Sequence, residues 1–242
     1  MKELLKEILE IIYPKNITCL LCFDPIKKDN TYSLCKSCFN ELKFIKDGCF
    51  RCGRNIINSY SEEILVDKCI FCSKKSFDFE RNISCIEYDN LSKKFIFDLK
   101  YRNKTYITEY ISKIMLEKLD FEGIKYDYIL CVPLHKKRLK SRGFNQAKKI
   151  AEYLSELVQI EFLDILKRNK NTKRLFTLDA KNREKELKSV FDIENGEILE
   201  NKNILIVDDI FTTGSTVNEI SKALSNYSVG KIYTITFITK SV

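Results

Sequence analysis

Four Cys-x-x-Cys pairs follow one another in the first third of this 242-residue chain: Cys19 and Cys22, Cys35 and Cys38, Cys49 and Cys52, Cys69 and Cys72. Two intervening residues let a tight turn aim both sulfurs at one tetrahedral metal, so each pair supplies half of a four-thiolate zinc site. Eight sulfurs make two structural Zn²⁺ sites. The only histidine, His135, lies far downstream, which makes all-cysteine shells the economical assignment. Consecutive ribbons and interleaved cross-bracing both satisfy the count. Consecutive pairing is favoured because it closes two short loops at a smaller cost in chain entropy. Closed sites of this kind usually hold together a segment too small for its own core.

Disulfides are the other use for ten cysteines, and the compartment decides between them. From Met1 to Ile12 the apolar positions are interrupted by Lys2, Glu3, Lys6, Glu7 and Glu10, which is not the pattern of a signal peptide. Leu4, Leu5, Ile8, Leu9, Ile11 and Ile12 instead recur at helical spacing, and predict an amphipathic helix ending before Pro14. No apolar run approaches the roughly 18 residues of a membrane helix. A cytoplasmic protein without membrane insertion is therefore expected, with its thiols reduced and free for metal. Cys85 and Cys131 lie singly in segments that resemble buried strands, and read as small core residues rather than nucleophiles. The formal charge of +8 points to anionic partners; eight thiolates on two Zn²⁺ would leave about +4.

From Phe77 onward strand patterns alternate with helical ones, which argues for an α/β domain built on a mostly parallel sheet with flanking helices. The chain is thus divided into residues 1–76, a helix and zinc-ribbon module, and residues 77–242. Strands are predicted at Ile83 to Tyr88, Tyr128 to Val132, Ile204 to Val207 and Ile232 to Thr239. Helices are predicted at Leu91 to Lys100, Ile107 to Lys118, Asn145 to Leu157 and Thr216 to Ser225. The segment Ile204 to Thr216 carries the most chemistry. An apolar strand leads into Asp208 and Asp209, which can accept hydrogen bonds from ribose hydroxyls directly or through hydrated Mg²⁺. Thr212, Thr213, Gly214, Ser215 and Thr216 then form a hydroxyl-rich turn whose amides suit phosphate at a helix start. Either half alone is an ordinary strand end or a Thr-capped helix; together they resemble the ribose-phosphate motif of type I phosphoribosyltransferases. Gly48 and Gly53 have the glycine spacing of a nucleotide-triphosphate loop, but Arg54 and Asn55 follow where Lys and Ser or Thr would be needed.

A second constellation runs through Pro133, Leu134, His135, Lys136, Lys137 and Arg138 to Arg142, with Asn145 and Gln146 at the next helix start. It reads as a basic loop at a strand end, able to surround pyrophosphate with amides and positive charge. These segments, with Leu99-Lys100-Tyr101-Arg102 and the zinc ribbons, resemble the ComF family of bacterial competence proteins over nearly the whole chain. That resemblance implies a phosphoribosyltransferase-like fold, binding of phosphoribosyl pyrophosphate with Mg²⁺, and a part in handling single-stranded DNA during natural transformation, alongside proteins of the uptake machinery. Thr172 to Phe191 resembles the family's basic segment and keeps Arg183 and Phe191, but has Ala180 and Glu186 where a basic residue and an amide are expected. Thr212 stands where many purine phosphoribosyltransferases carry an acid, and a hydroxyl of ordinary acidity is no general acid or base. No catalytic residue is assigned. Two readings follow: a binding factor that recognises a phosphorylated ribose, or a working transferase acting on an unidentified base.

Overall fold

The computed structural model describes residues 16–56, 69–73, 75–102, 104–170 and 190–240. The amphipathic helix expected near the N-terminus and most of the segment Thr172 to Phe191, with Ala180, Arg183 and Glu186, lie outside the described residues.

Long apolar runs form the sheet. Strands β1 (Arg81–Glu87), β2 (Tyr128–Cys131), β5 (Ile204–Phe211) and β6 (Ile232–Thr239) make four parallel strands in the order β1-β6-β5-β2. Ile204, Leu205, Ile206 and Val207 are all buried, as a central parallel strand covered on both faces requires. After helix α1 (Lys36–Glu41) of the ribbon segment, helices α2 (Ser92–Tyr101), α3 (Ile107–Glu122), α5 (Gln146–Val158) and α6 (Ser215–Ser225) flank the sheet. Helix α5 shows how: Ala147, Ile150, Ala151 and Leu154 form its buried stripe, and Asn145 caps it by accepting from the Ala147 amide at 3.1 Å. A separate antiparallel pair, β3 (Leu166–Arg168) with β4 (Phe191–Ile193), was not foreseen, since each strand is only three residues long.

Two local expectations need correction. The basic segment after β2 is not all loop: residues 136–142 form helix α4 (Lys136–Arg142), with no buried residue. Having no apolar face, it leaves no periodicity in the sequence. Its signals are caps only: His135 Nδ1 accepts from the Lys137 amide at 3.2 Å, and Gly143 ends it at φ +86°. The other correction concerns β5, which continues past Val207 to Phe211, so Asp208 and Asp209 stand within the strand and not beyond it.

The zinc-ribbon segment is laid against the sheet rather than strung from it. Phe44 bridges Ile86 in antiparallel fashion, with the Ile45 amide donating to Cys85 O at 2.9 Å and the Glu87 amide to Lys43 O at 2.9 Å. A short piece of ribbon thereby covers the open edge of β1. Below it, Asn82 donates its amide N–H to Arg51 O and its side-chain Nδ2 to Cys52 O, each at 3.0 Å. Gly53 makes that approach feasible: at φ +70°, a Cβ there would lie 2.7 Å from Asn82 O.

Candidate functional site

The eight paired cysteines gather into two clusters, Cys19, Cys22, Cys35 and Cys38 in one and Cys49, Cys52, Cys69 and Cys72 in the other, as consecutive pairing requires. A tetrahedral Zn²⁺ with ~2.3 Å bonds to sulfur sets its ligands about 3.8 Å apart. The sulfurs stand at 3.6 Å for Cys22 and Cys35, 3.6 Å for Cys49 and Cys72, 3.5 Å for Cys52 and Cys69, and 3.8 Å for Cys69 and Cys72. The donor set therefore fits zinc. Crowding has an electrostatic signature: the Cys52 thiol, then those of Cys69 and Cys72, donates to Cys49 and holds it far below the ordinary thiol range. The second cluster is wholly buried, whereas Cys22 of the first is exposed. Elemental analysis of reduced protein should accordingly find two zinc ions per chain, and a slow chelation series should release them in two phases, the Cys19 cluster first. One ion at saturation would show that two pairs are not ligands.

The hydroxyl-rich turn grows directly out of β5. Pairing with β2 ends at Cys131 and Val207, while pairing with β6 continues from Asp208, opposite Thr236, to Phe211, opposite Thr239. One edge of β5 is thus free of β2 along the two acids. Asp208 accepts the Asp209 amide on its own Oδ1 at 2.8 Å, and Asp209 pairs with the Lys100 ammonium from the last turn of α2. Burial, and then the adjacent Asp209 charge, push the Asp208 carboxyl well above the usual carboxylate range. Two adjacent carboxylates at this edge are hard oxygen donors of the kind that fit a hydrated Mg²⁺ or ribose hydroxyls.

After Phe211 the chain turns through Thr212, Thr213 and Gly214 into α6. Gly214 adopts φ +81°, and a Cβ there would meet the rings of Phe211 at 2.8 Å and Phe77 at 2.9 Å, so the turn rests on aromatic ground. The Thr213 and Ser215 hydroxyls lie 2.8 Å apart, Thr213 just before and Ser215 at the first position of this 11-residue helix. Thr216 follows, half-buried in the first turn. From the opposite side comes Arg54, 3% exposed, whose guanidinium donates to Thr212 O and Lys240 O and lies 3.7 Å from the Phe71 ring centroid. Burial lowers its pKa, and the surrounding cysteine sulfurs act in the other direction.

The second constellation is partly drawn in. Pro133, Leu134 and His135 form the connection from β2 into α4; Lys136 and Arg138 lie on that helix; and Arg142 donates to Gln146 Oε1 at 2.7 Å. Cys131 is buried at the end of β2 with Asn145 Nδ2 3.9 Å from its sulfur, and Cys85 is buried in β1; both serve the core. Three further cations escaped the sequence reading as site residues. Lys100 lay in a noted motif, but nothing local said that it would meet Asp209. Arg168, at the end of β3, is buried, with its pKa drawn down to about 10 by burial, by Arg138 and against the pull of Asp208. Arg54 looked like the remnant of a failed phosphate-loop pattern.

Comparison with known proteins comes to the same two parts. A model described as Phosphoribosyl transferase domain matches residues 107–242, and one described as Double zinc ribbon domain matches residues 8–74. The DNA utilization protein YhgH of Escherichia coli is 27% identical over 212 residues, spanning 85% of this chain and 89% of that protein. Competence protein F of Haemophilus influenzae is 28% identical over 206 residues, spanning 82% and 87%. Competence protein ComFC of Bacillus subtilis is 27% identical over 231 residues, spanning 86% and 88%.

Proposed function

Since the chain belongs to the phosphoribosyl transferase domain family, in the ComF arrangement behind a double zinc ribbon, we propose that it binds phosphoribosyl pyrophosphate with Mg²⁺ and serves the handling of single-stranded DNA in natural transformation. The observation that carries the first half is the pairing of Asp208 and Asp209 on the free edge of β5 with a phosphate-type turn at the start of α6. The acids take the ribose hydroxyls or a hydrated Mg²⁺. Amides and hydroxyls from Thr212 to Thr216 take the 5′-phosphate, favoured by the helix dipole. The segment from Pro133 into α4, with Lys136, Arg138 and Arg142, faces pyrophosphate with positive charge. The second half is supported by the names of the relatives, which concern competence and DNA utilization.

A working transferase is the second reading, favoured by the family model. It needs a residue to recognise or protonate a base, and Thr212 does not supply one. Calorimetric titration with phosphoribosyl pyrophosphate and Mg²⁺, run beside a pyrophosphate-release assay with a panel of bases, separates the two. Saturable binding without sustained release is the expected result. Release that depends on one added base would install the transferase, and no binding at all would remove the phosphoribosyl site.

A further inference from the structure

Exposed apolar side chains are ordinary when scattered singly, as Ile70, Leu157 and Ile198 are here. One group departs from that pattern. Phe97 and Tyr101, on successive turns of α2, are 46% and 62% exposed, with ring centroids 5.1 Å apart. Phe23, 51% exposed, stands beside them from the first zinc knuckle, between Cys22 and Asp24. It sits there at φ +65°, a left-handed conformation that disfavours a bulky side chain. Phe23 and Phe97 line a common groove of about 360 Å³ with Leu21, Asn90, Lys93, Lys94, Asp98 and Arg102.

Cations are interleaved with the rings. Lys104 lies 4.2 Å from the Phe23 centroid, Arg102 lies 5.6 Å from Phe97, and Arg142 lies 5.9 Å from Tyr101. The single acid of the groove, Asp98, is already paired with Lys104 at 2.6 Å and Arg102 at 3.2 Å, so Lys93 and Lys94 leave the groove positive. Half-open aromatic rings set among positive charges are what a flexible polyanion with unpaired bases can use: each base has a face to stack, and each phosphate has a cation. A duplex hides those faces, and an acidic peptide has none. Beyond the groove, Tyr101 continues the aromatic row from Phe97 and adjoins Arg142 at the end of α4, while its neighbour Lys100 reaches Asp209.

We infer that single-stranded nucleic acid lies along this groove, from the first zinc knuckle across α2, with bases stacked on Phe23, Phe97 and Tyr101 and its backbone leading toward the ribose-phosphate turn. This rests on the proposed DNA-handling function and gives it a surface. The test uses the full zinc-loaded chain and a fluorescently labelled 20-nucleotide single strand. Phe97→Ala with Tyr101→Ala should weaken binding about tenfold to a hundredfold, since base stacking on aromatic side chains has that effect. Phe97→Trp with Tyr101→Phe should retain it. Affinity for phosphoribosyl pyrophosphate should be unchanged in both, and two zinc ions should remain. The matched duplex should bind at least tenfold more weakly than the strand. Equal strand affinity in wild type and the double alanine variant would overturn the groove while leaving DNA handling to other surfaces such as α4. Displacement of the strand by polyglutamate as readily as by unlabelled strand would reduce the groove to an anion surface and overturn the stacking. No strand binding by wild type would overturn the groove and the DNA-handling function together, whatever happens to phosphoribosyl pyrophosphate.

Discussion

Asp208→Asn together with Asp209→Asn is expected to lower affinity for phosphoribosyl pyrophosphate about a hundredfold or more in the presence of Mg²⁺, and to leave the free protein at least nearly as stable. The loss follows from removing charge-assisted acceptors worth roughly 1.5–3 kcal/mol each, without assuming that they add. The stability half has a definite sign. Burial and the Asp209 charge raise the Asp208 carboxyl in the folded state, so ionising it opposes folding as pH rises from the ordinary carboxylate range through that raised value. Asparagine is neutral throughout and its Oδ1 can still accept the Asp209 amide, so that penalty disappears at neutral pH. Against this stand the pair between Asp209 and Lys100 and the attraction of Asp208 for Lys100 and Arg168. Calorimetry with the ligand, beside thermal melts without it, reads both halves. Wild-type affinity in the folded variant would remove the ribose site and most of the functional reading.

Arg54→Met is expected to weaken phosphate-ligand binding while both zinc ions stay bound. Met keeps much of the apolar stem against Phe71 but cannot donate to Thr212 O or Lys240 O. Losing hydrogen bonds from a charged donor to these two backbone carbonyls costs about 3 kcal/mol, which corresponds to a fall in Tm of roughly 6–12 °C for a chain of this size. A purely structural role would end there. Because one of the acceptors is the first residue of the proposed phosphate turn, ligand affinity measured well below the melting transition should also fall, about tenfold. Arg54→Lys, reaching one carbonyl at a time, should be intermediate in both readouts. Unchanged affinity in a folded, destabilised Arg54→Met would confine Arg54 to holding the two parts together.

Most of the sheet, the flanking helices and both cysteine clusters were legible in the sequence because each rests on a local signal. The strands are apolar runs, the helices have buried stripes, and the Cys-x-x-Cys spacing is itself the geometry of a metal turn. The closing strand was bounded correctly at Ile232–Thr239. What escaped depends on partners distant in the chain. Helix α4 has no apolar face to betray it. The extension of β5 through Asp208 and Asp209 is secured by β6, and a strand reading that stops at the first charge misses it. Lys100, Arg54 and Arg168 acquire their positions from segments tens to hundreds of residues away, as the 158-residue separation of Arg54 from Thr212 illustrates.

The strip of ribbon around Phe44 has a consequence for how the chain is made. Strand β1 finds its sheet partner only in β6, 152 residues later where Ser84 meets Thr236. At roughly 5–20 residues per second, a ribosome would leave an unguarded β1 waiting about 8 to 30 seconds with both edges open, an invitation to pair with another nascent chain. The ribbon precedes β1 and needs nothing downstream except the Cys69 and Cys72 turn to complete its second metal site. Once zinc closes it, one edge of β1 is already occupied as that strand is synthesised. In zinc-starved cells the same chain should emerge with that guard missing, so loss of metal would be felt first as lower yield of folded protein and only later as lost binding.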